Sequence, residues 1–399
     1  RFCQVTGVQT CALPIFIICN MIYLDHASAT PLSKVARLAM EPYFSQLFFN
    51  PSATYLPAKV VRAEYEQAKN TIAHCIGAKG INLIVTSGAT EANNLAFSLV
   101  KKSCLFLTTE HESIVQIATQ KNGTPIKVDS SGLIDLQDFI THLNDQIELV
   151  SVSLANNEIG TIQPLAKIAS IIQSERLRRI KQGITTPIYF HSDASQAMNL
   201  IDISVARLGV DLLTLNSAKV YGPKGVGALY VSHHVPLAPL FLGGGQEHGL
   251  RSGTENVPGV IGFASAFKEA KAHLNHNRQF FTHINNLFCT EISNHSIIPH
   301  FIGNVKNRLA NFCPLSYPNL DAERLIYKLE AQSVYLSTGS ACAARKGIPS
   351  RILQAIGLSD TEIAGSLRIS FGVLNTESNV LKAAKLIKQA VSEETARHV

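Results

Sequence analysis

The feature of this sequence that most constrains its fold is an alternation between short apolar runs and longer amphipathic runs, which begins near Ile22. The apolar runs predict strands at 83–86, 105–108, 148–154, 187–191, 212–215 and 227–231. The runs between them predict helices at 57–76, 91–100, 136–143 and 164–180. Strands that alternate with helices predict an α/β fold, in which a mainly parallel sheet is covered by helices on both faces. Ligands in such folds bind at the carboxyl ends of the strands.

The pattern changes after about Gly253, where a helical stretch at 257–274 leads into a region with fewer strand signals. A final amphipathic helix is predicted at 379–392. Because 399 residues are many for one compact domain, two domains are expected. We expect a large domain at 21–253 and a smaller one at 254–399, with the site between them.

The first twenty residues are interpreted separately from the rest. The run at 5–15 (VTGVQTCALPI) resembles the translation of a sequencing adapter, and Met21 directly precedes the first strand-like segment. We therefore treat 1–20 as a non-native leader. The apolar run at 12–19 is too short to span a membrane. With the leader excluded no export signal remains, so a cytoplasmic location is expected.

Charge and cysteine spacing argue against several classes of protein. The formal net charge is +6, and no long Lys/Arg run accompanies it, so nucleic-acid binding has little support. The eight cysteines are irregularly spaced without a CxxC pair, which argues against a zinc site or a disulfide framework and favours a reducing compartment. Cys342 differs from the apolar-flanked Cys104, because small residues surround it (LSTGSACAA, 336–344). Such flanks suit a thiol that must reach a substrate.

Two polar segments follow predicted strands and suggest a phosphorylated cofactor. Lys219, in SAKVYGPKG at 217–225, is a candidate for a Schiff-base amine because desolvation lowers the pKa of an amine. The alternative is an ordinary surface lysine. The segment SGATEANN at 87–94 lies between a strand and a helix, where backbone N–H groups and the Thr90 hydroxyl would attract a phosphate. The alternative is an ordinary helix N-cap.

Two more segments follow strands in the same way. Asp193, in HSDASQ at 191–196, could pair with a pyridinium nitrogen, although aspartate is also a common turn residue. His111, in TEHES at 109–113, could stack on an aromatic cofactor and move protons, although most lone histidines make structural hydrogen bonds. All these segments are expected at one edge of the sheet.

Further segments complete an ordered set: YLD at 23–25, NNEIG at 156–160, GGGQE at 243–247, LRSGT at 250–254 and LRISFG at 367–372. Together they closely resemble the cysteine desulfurases of the NifS/IscS class, in the class V aminotransferase family of pyridoxal-phosphate (PLP) enzymes. The cysteine segment resembles that of group I enzymes. The resemblance runs from about Tyr23 to the last helix. It implies PLP-dependent transferase fold type I, with a seven-stranded, mainly parallel sheet between helices and a smaller α+β C-terminal domain.

The resemblance also implies a role for each matching residue. Lys219 would bind the cofactor as a Schiff base, and His111 would stack on its ring as an acid/base. The other implied cofactor contacts are Asp193 to the pyridinium nitrogen, Gln196 and Asn157 to the ring oxygen, and Ala89, Thr90 and a second subunit's Thr254 to the phosphate. The implied substrate contacts are Arg368, Asn50 and Asn157, and the implied nucleophile is Cys342.

The implied reaction converts L-cysteine to L-alanine. The sulfur would pass as a persulfide on Cys342 to an acceptor protein for iron–sulfur cluster assembly or tRNA thiolation. A homodimer without nucleic-acid or membrane partners is expected. A selenocysteine lyase or another aminotransferase-family enzyme is the nearest alternative, and a low-activity relative that acts as a binding partner is a second.

Two segments depart from the family pattern. Asn216-Ser217-Ala218-Lys219 stands where the family has Ser-Gly-His-Lys, so the usual serine and histidine contacts to the phosphate are missing. We therefore expect weaker cofactor retention, by roughly 1–3 kcal/mol per lost charged contact. The segment that begins at Asn50 (NPSATYLPA) also lacks a histidine and a glycine of the family pattern.

Overall fold

The computed structural model describes residues 21–339 and 349–397. The strands in these ranges are β1 Ile22–Tyr23, β2 Leu83–Thr86, β3 Ser103–Leu107, β4 Thr124–Ile126, β5 Ile147–Ser151, β6 Tyr189–Asp193, β7 Leu212–Asn216, β8 Gly227–Val231, β9 His300–Phe301, β10 Phe312–Ser316, β11 Val334–Tyr335 and β12 Ser366–Ser370. The predicted leader at 1–20 and the predicted nucleophile Cys342 lie outside the described residues.

The helices connect these strands and cover them. They are α1 Lys34–Met40, α2 Pro42–Ser45, α3 Leu56–Cys75, α4 Ala89–Ala96, α5 Glu112–Gln120, α6 Leu136–His142, α7 Leu165–Lys181, α8 Val205–Leu208, α9 Val257–Ala272, α10 Leu274–Ser293, α11 Ala322–Glu330, α12 Arg351–Ala355, α13 Asp360–Ala364 and α14 Glu377–Thr395. Among the described residues, no helix combines the length and the apolar character needed to cross a bilayer.

The central sheet has seven strands in the order β2-β8-β7-β6-β5-β3-β4. Strand β8 runs antiparallel to both of its neighbours, and the remaining pairs are parallel, which confirms the predicted mainly parallel α/β fold. Strands β2 and β8 coincide with the predicted segments 83–86 and 227–231. The other predicted strands lie within about three residues of their observed bounds. Strand β4 was not predicted.

Side chains on the two faces of this sheet pack into separate apolar clusters, because successive strand residues point to opposite faces. On β2, Leu83 and Val85 pack in the cluster formed with α3 and α9. Ile84, between them, packs in the cluster formed with α4 and α5. Each fully buried side chain of this size contributes about 1.5–3 kcal/mol. The sheet is therefore held between two helical layers, and its strand ends are left available for polar side chains.

The C-terminal part of the chain contains a second, antiparallel sheet in the order β12-β10-β9. The N-terminal strand β1 pairs in parallel with β11, and Asp25 forms a further bridge with Ser370 at the end of β12. The C-terminal part of the chain therefore packs against the segment that contains β1. The proposed division at Gly253 stays a prediction.

Candidate active site

A cavity of about 530 Å³ lies at the carboxyl ends of the central parallel strands. The polar segments that follow β3, β5, β6 and β7 meet there, as the sequence predicts for this architecture. The cavity brings together the predicted site residues Ala89, Thr90, His111, Asn157, Asp193, Gln196, Lys219 and Arg368.

Lys219 is placed by a short 3-10 turn over Ser217–Lys219 that follows β7 directly. The side-chain oxygen of Asn216 accepts the Ala218 N–H at 3.2 Å and caps this turn. The Lys219 Nζ donates to the Ala27 carbonyl at 2.8 Å and to the Ser28 carbonyl. The amine is thus directed into the cavity and held against the N-terminal segment.

Asp193 ends β6, and both of its carboxylate oxygens are held by N–H donors. Its Oδ1 accepts the Ser195 N–H at 2.8 Å, and its Oδ2 accepts the Asn93 amide at 3.0 Å. Asn93 in turn donates to the Ser113 Oγ at 2.9 Å. The carboxylate is buried and fixed in orientation, which suits an ion pair with a protonated ring nitrogen.

His111 forms the N-cap of α5, and its Nδ1 accepts the Ser113 N–H at 3.1 Å. A ring whose Nδ1 accepts a hydrogen bond carries its proton on Nε2 when it is neutral. Burial lowers the pKa of His111, although the nearby Asp193 carboxylate opposes this effect. The lowered pKa favours the neutral imidazole, which can both donate and accept a proton.

The phosphate-binding segment predicted at 87–94 begins where β2, β8 and α4 meet. Gly88 has φ +154°, and a Cβ at the facing Gly227 would lie 2.7 Å from the Gly88 carbonyl carbon. The two glycines therefore permit a close backbone approach that brings Ala89 and Thr90, the first residues of α4, to the cavity. The first N–H groups of a helix lack intrahelical partners, so they can bind an anion.

Arg368 reaches the opposite side of the cavity from β12. It is 4% exposed, its Nη2 pairs with Asp25 Oδ1 at 2.7 Å, and its Nη1 donates to the Asn157 carbonyl at 3.2 Å. Its buried Nε has no hydrogen-bond partner among the described residues. A fixed guanidinium with unused donor capacity suits the carboxylate of an amino acid.

Two other predicted contacts are not brought into the cavity of the single chain. The Asn50 side chain accepts the Ser52 N–H at 2.9 Å in an exposed turn. Thr254 is exposed in the loop before α9. Neither residue lines the cavity, so their assigned roles stay predictions.

Sequence analysis missed other cavity residues, notably Glu110, Glu158 and Arg351. Burial raises the pKa of Glu110 to about 7, although hydrogen bonds from Ser153 oppose this. The Arg351 guanidinium donates to the Thr108 and Glu110 carbonyls and so fixes the turn that precedes His111. Glu110 and Glu158 belong to the motifs TEH and NNEIG, so these motifs could have identified them as site residues. No motif near Arg351 indicates that it lies in the cavity.

These side chains fit pyridoxal phosphate. An amine, a fixed carboxylate and a neutral imidazole face one cavity, and a glycine-lined helix N-terminus offers a place for the phosphate. The unpartnered Arg368 Nε adds a donor for a substrate carboxylate.

Comparisons with known proteins agree with this arrangement. The family model described as aminotransferase class-V matches residues 22–382. The chain is similar to the cysteine desulfurase IscS of Dictyoglomus turgidum, with 34% identity over 93% of this chain and 95% of the relative. Among solved structures it is similar to a NifS-like protein, with a TM-score of 0.85 and 27% identity over 93% of this chain and 99% of that one. It is also similar to SspA in complex with cysteine, with a TM-score of 0.74 and 30% identity over 88% and 98%.

Proposed function

The chain belongs to the class-V aminotransferase family, and we propose on that basis that it is a PLP-dependent cysteine desulfurase. It would convert L-cysteine to L-alanine and pass the sulfur to an acceptor protein. The observation that carries this proposal is one cavity that contains Lys219, Asp193, His111 and Arg368 together. The similarity to a desulfurase relative over nearly the whole chain supports it.

Each part of the cofactor would have a partner among the residues that line the cavity. Lys219 would hold it covalently, Asp193 would pair with the ring nitrogen, and the N–H groups of Ala89 and Thr90 would bind the phosphate. Gln196, whose amide also donates to the Ala27 carbonyl at 3.0 Å, lines the same side of the cavity as Lys219 and would contact the ring oxygen. When bound, pyridoxal phosphate supplies an electron sink for the carbon atoms of the substrate.

Substrate binding and proton transfer would be carried out by different residues of the cavity. Arg368 would bind the substrate carboxylate, with its orientation fixed by Asp25. The Lys219 amine would remove the proton from the substrate Cα and later return it. The neutral imidazole of His111 would exchange protons at the substrate through Nε2, because Nδ1 is occupied by the Ser113 N–H.

Sulfur transfer is assigned to Cys342 from its sequence segment. Its thiolate would attack the substrate sulfur, so that an S–S bond forms and the Cβ–S bond breaks. The electron pair of the broken bond stays with the carbon skeleton, and the proton lost by the Cys342 thiol takes the place of sulfur on Cβ. The products are alanine and a Cys342 persulfide, with every atom of both reactants retained.

A direct test is to incubate the purified protein with pyridoxal phosphate and L-cysteine and to measure alanine and protein persulfide together. We expect equal amounts of both in the first turnover, and neither with Lys219→Ala. Cys342→Ala should form no persulfide. A 2-oxo acid product instead of alanine would assign an aminotransferase reaction and refute the proposal. Faster release of alanine from selenocysteine than from cysteine would assign the lyase instead.

We also propose that two chains form a homodimer through an exposed apolar surface. Phe48 and Leu56 are 67% and 74% exposed, and Leu242 is 87% exposed. The Arg62 side chain bonds Glu255 at 2.6 Å, which places the loop that carries Thr254 beside α3. Exposure of Thr254 is consistent with a contact to the second subunit's phosphate. Sedimentation analysis should give twice the chain mass, and a monomer that retains its cofactor would refute the proposal.

A further inference from the structure

Two cysteines that the proposed reaction does not use lie side by side where α10 packs on the second sheet. The Sγ of Cys289, on α10, lies 3.5 Å from the Sγ of Cys313, on β10. A disulfide S–S bond is about 2.0 Å long, so the two sulfurs would need to approach by about 1.5 Å to become bonded. Neither residue lines the cavity of the candidate active site. The pair is therefore a separate chemical feature of the molecule.

Hydrogen bonds around the pair make the two thiols unequal. The Cys289 S–H donates to the Asn285 Oδ1 at 3.2 Å. The Asn285 Nδ2 donates to the Ala310 and Phe312 carbonyls at 2.8 and 2.9 Å. These bonds fix the amide with its oxygen toward the Cys289 sulfur. Because the Cys289 proton is directed at this oxygen, the Cys313 S–H is the donor in the contact between the two sulfurs.

The same contacts make Cys289 the more reactive of the two thiols. The hydrogen bond from Cys313 lowers the pKa of Cys289, burial opposes this, and the Arg308 guanidinium adds to the lowering. The contact with Cys289 and complete burial raise the pKa of Cys313. Of the four cysteines in the described ranges, Cys289 alone is partly exposed. Because the thiolate is the nucleophile, Cys289 is the thiol that a dissolved oxidant can reach and oxidise.

We propose that Cys289 and Cys313 are a modification site, at which hydrogen peroxide converts the two thiols to a disulfide. The Cys289 sulfur attacks one peroxide oxygen, so that an S–O bond forms and the O–O bond breaks. The hydroxide released takes up the Cys289 proton and becomes water. The Cys313 sulfur then attacks the Cys289 sulfur, so that the S–S bond forms and the S–O bond breaks. The leaving hydroxide takes the Cys313 proton as a second water.

This inference goes beyond the proposed function and does not depend on it. Two thiols are oxidised to one disulfide, and one peroxide is reduced to two water molecules. The bond would tie α10 to β10, in which Cys313 pairs with Ile369 of β12. A thiol reductant would reverse it by exchange.

The experiment treats the reduced full chain, with pyridoxal phosphate added, with a small excess of hydrogen peroxide under native conditions. Digestion without reduction, followed by mass spectrometry, identifies the linked peptides. We expect one linked pair that contains Cys289 and Cys313, is two hydrogen atoms lighter than the separate peptides together, and disappears on treatment with dithiothreitol. Differential alkylation should show Cys289 oxidised roughly tenfold faster than Cys75 or Cys104, because both of these thiols are buried.

Three variants separate the roles of the two thiols. Cys313→Ala removes the second thiol, so oxidation of Cys289 should stop at the sulfenic acid, which dimedone traps as an adduct. Cys289→Ser should leave Cys313 unmodified, because a buried thiol is inert. Cys104→Ala is the matched control, because Cys104 is also buried on a strand, with its sulfur against the Ala118 carbonyl at 3.8 Å. This control should form the disulfide as the wild type does.

Absence of the linked peptides from the oxidised wild type would overturn the inference. So would linked peptides that form only after urea has unfolded the protein, or oxidation of Cys104 as fast as that of Cys289. If Cys313→Ala does not fold, the wild-type peptides and Cys289→Ser decide the result.

Discussion

Glu110 is a carboxylic acid that is 1% exposed and lies between the cavity and β5. Burial raises its pKa from an ordinary value of 4.5 to about 7, and the Asp193 carboxylate adds to this effect. The Ser153 N–H, which donates to Oε1 at 2.7 Å, and the Ser153 hydroxyl act in the opposite direction, as does Arg351. The net result is a side chain that folding makes harder to ionise.

The sign of the resulting pH dependence follows from proton binding. Between pH 4.5 and about 7, Glu110 keeps its proton in the folded protein and loses it in the unfolded chain. The folded state therefore binds more protons, so its free energy of unfolding falls as the pH rises through this window and then stays constant. At about 1.4 kcal/mol per pKa unit, the difference between the two values corresponds to about 3 kcal/mol.

Glu110→Gln removes this ionisation, because a neutral glutamine can keep both contacts with Ser153. Urea denaturation of the cofactor-free wild type and variant at pH 5 and pH 8 measures the effect. We compare the free energy of unfolding of the variant minus that of the wild type. We expect this difference to be about 2 kcal/mol larger at pH 8 than at pH 5. Other titrating groups are common to both proteins, so they cancel in this comparison. An equal difference at both pH values would refute the reasoning.

Three further predictions concern the cofactor amine, the substrate-binding arginine and a crowded glycine. Lys219→Ala should abolish the absorption band of the bound cofactor, and a band that persists with the wild-type spectrum would contradict the Schiff base. Arg368→Lys should raise the KM for L-cysteine at least tenfold, because lysine lacks the fork that pairs with Asp25 and a carboxylate, and an unchanged KM in steady-state kinetics would place the carboxylate elsewhere. Gly372→Ala should lower the free energy of unfolding by about 1–3 kcal/mol because the new Cβ would overlap the His26 ring, and a denaturation midpoint equal to that of the wild type would contradict this packing.

The central sheet could be predicted from the sequence because its strands are short apolar runs that are buried on both faces. Strand β4 was missed because it has only three residues and contains Pro125, which is typical of an edge strand. In the second sheet, β12 carries the charged Arg368 and β10 contains Pro314, so neither reads as an apolar strand. Their burial depends on pairing between distant segments, which no local pattern reveals.

Some residues of the candidate site could likewise be predicted from the sequence, and others could not. Lys219, Asp193 and His111 follow predicted strands, so the rule that ligands bind at strand ends was enough to group them. Arg351 binds the carbonyl of Thr108, which is 243 positions away, and nothing near either residue in the sequence indicates that contact. Asn50 lies in an exposed turn outside the cavity of the single chain, so its role still rests on the resemblance alone and stays a prediction.

The contacts between the β1 segment and the C-terminal part of the chain have a consequence for when the protein can fold during synthesis. Asp25 leaves the ribosome early, yet its partner Arg368 follows 343 residues later. The carbonyls that hold Lys219 belong to the same early segment, so a nascent chain must keep this segment available until almost all of the polypeptide has been synthesised. Contacts of such long range form late and slowly. We therefore expect the cofactor to bind after translation, and chains cut short before β12 to lack it.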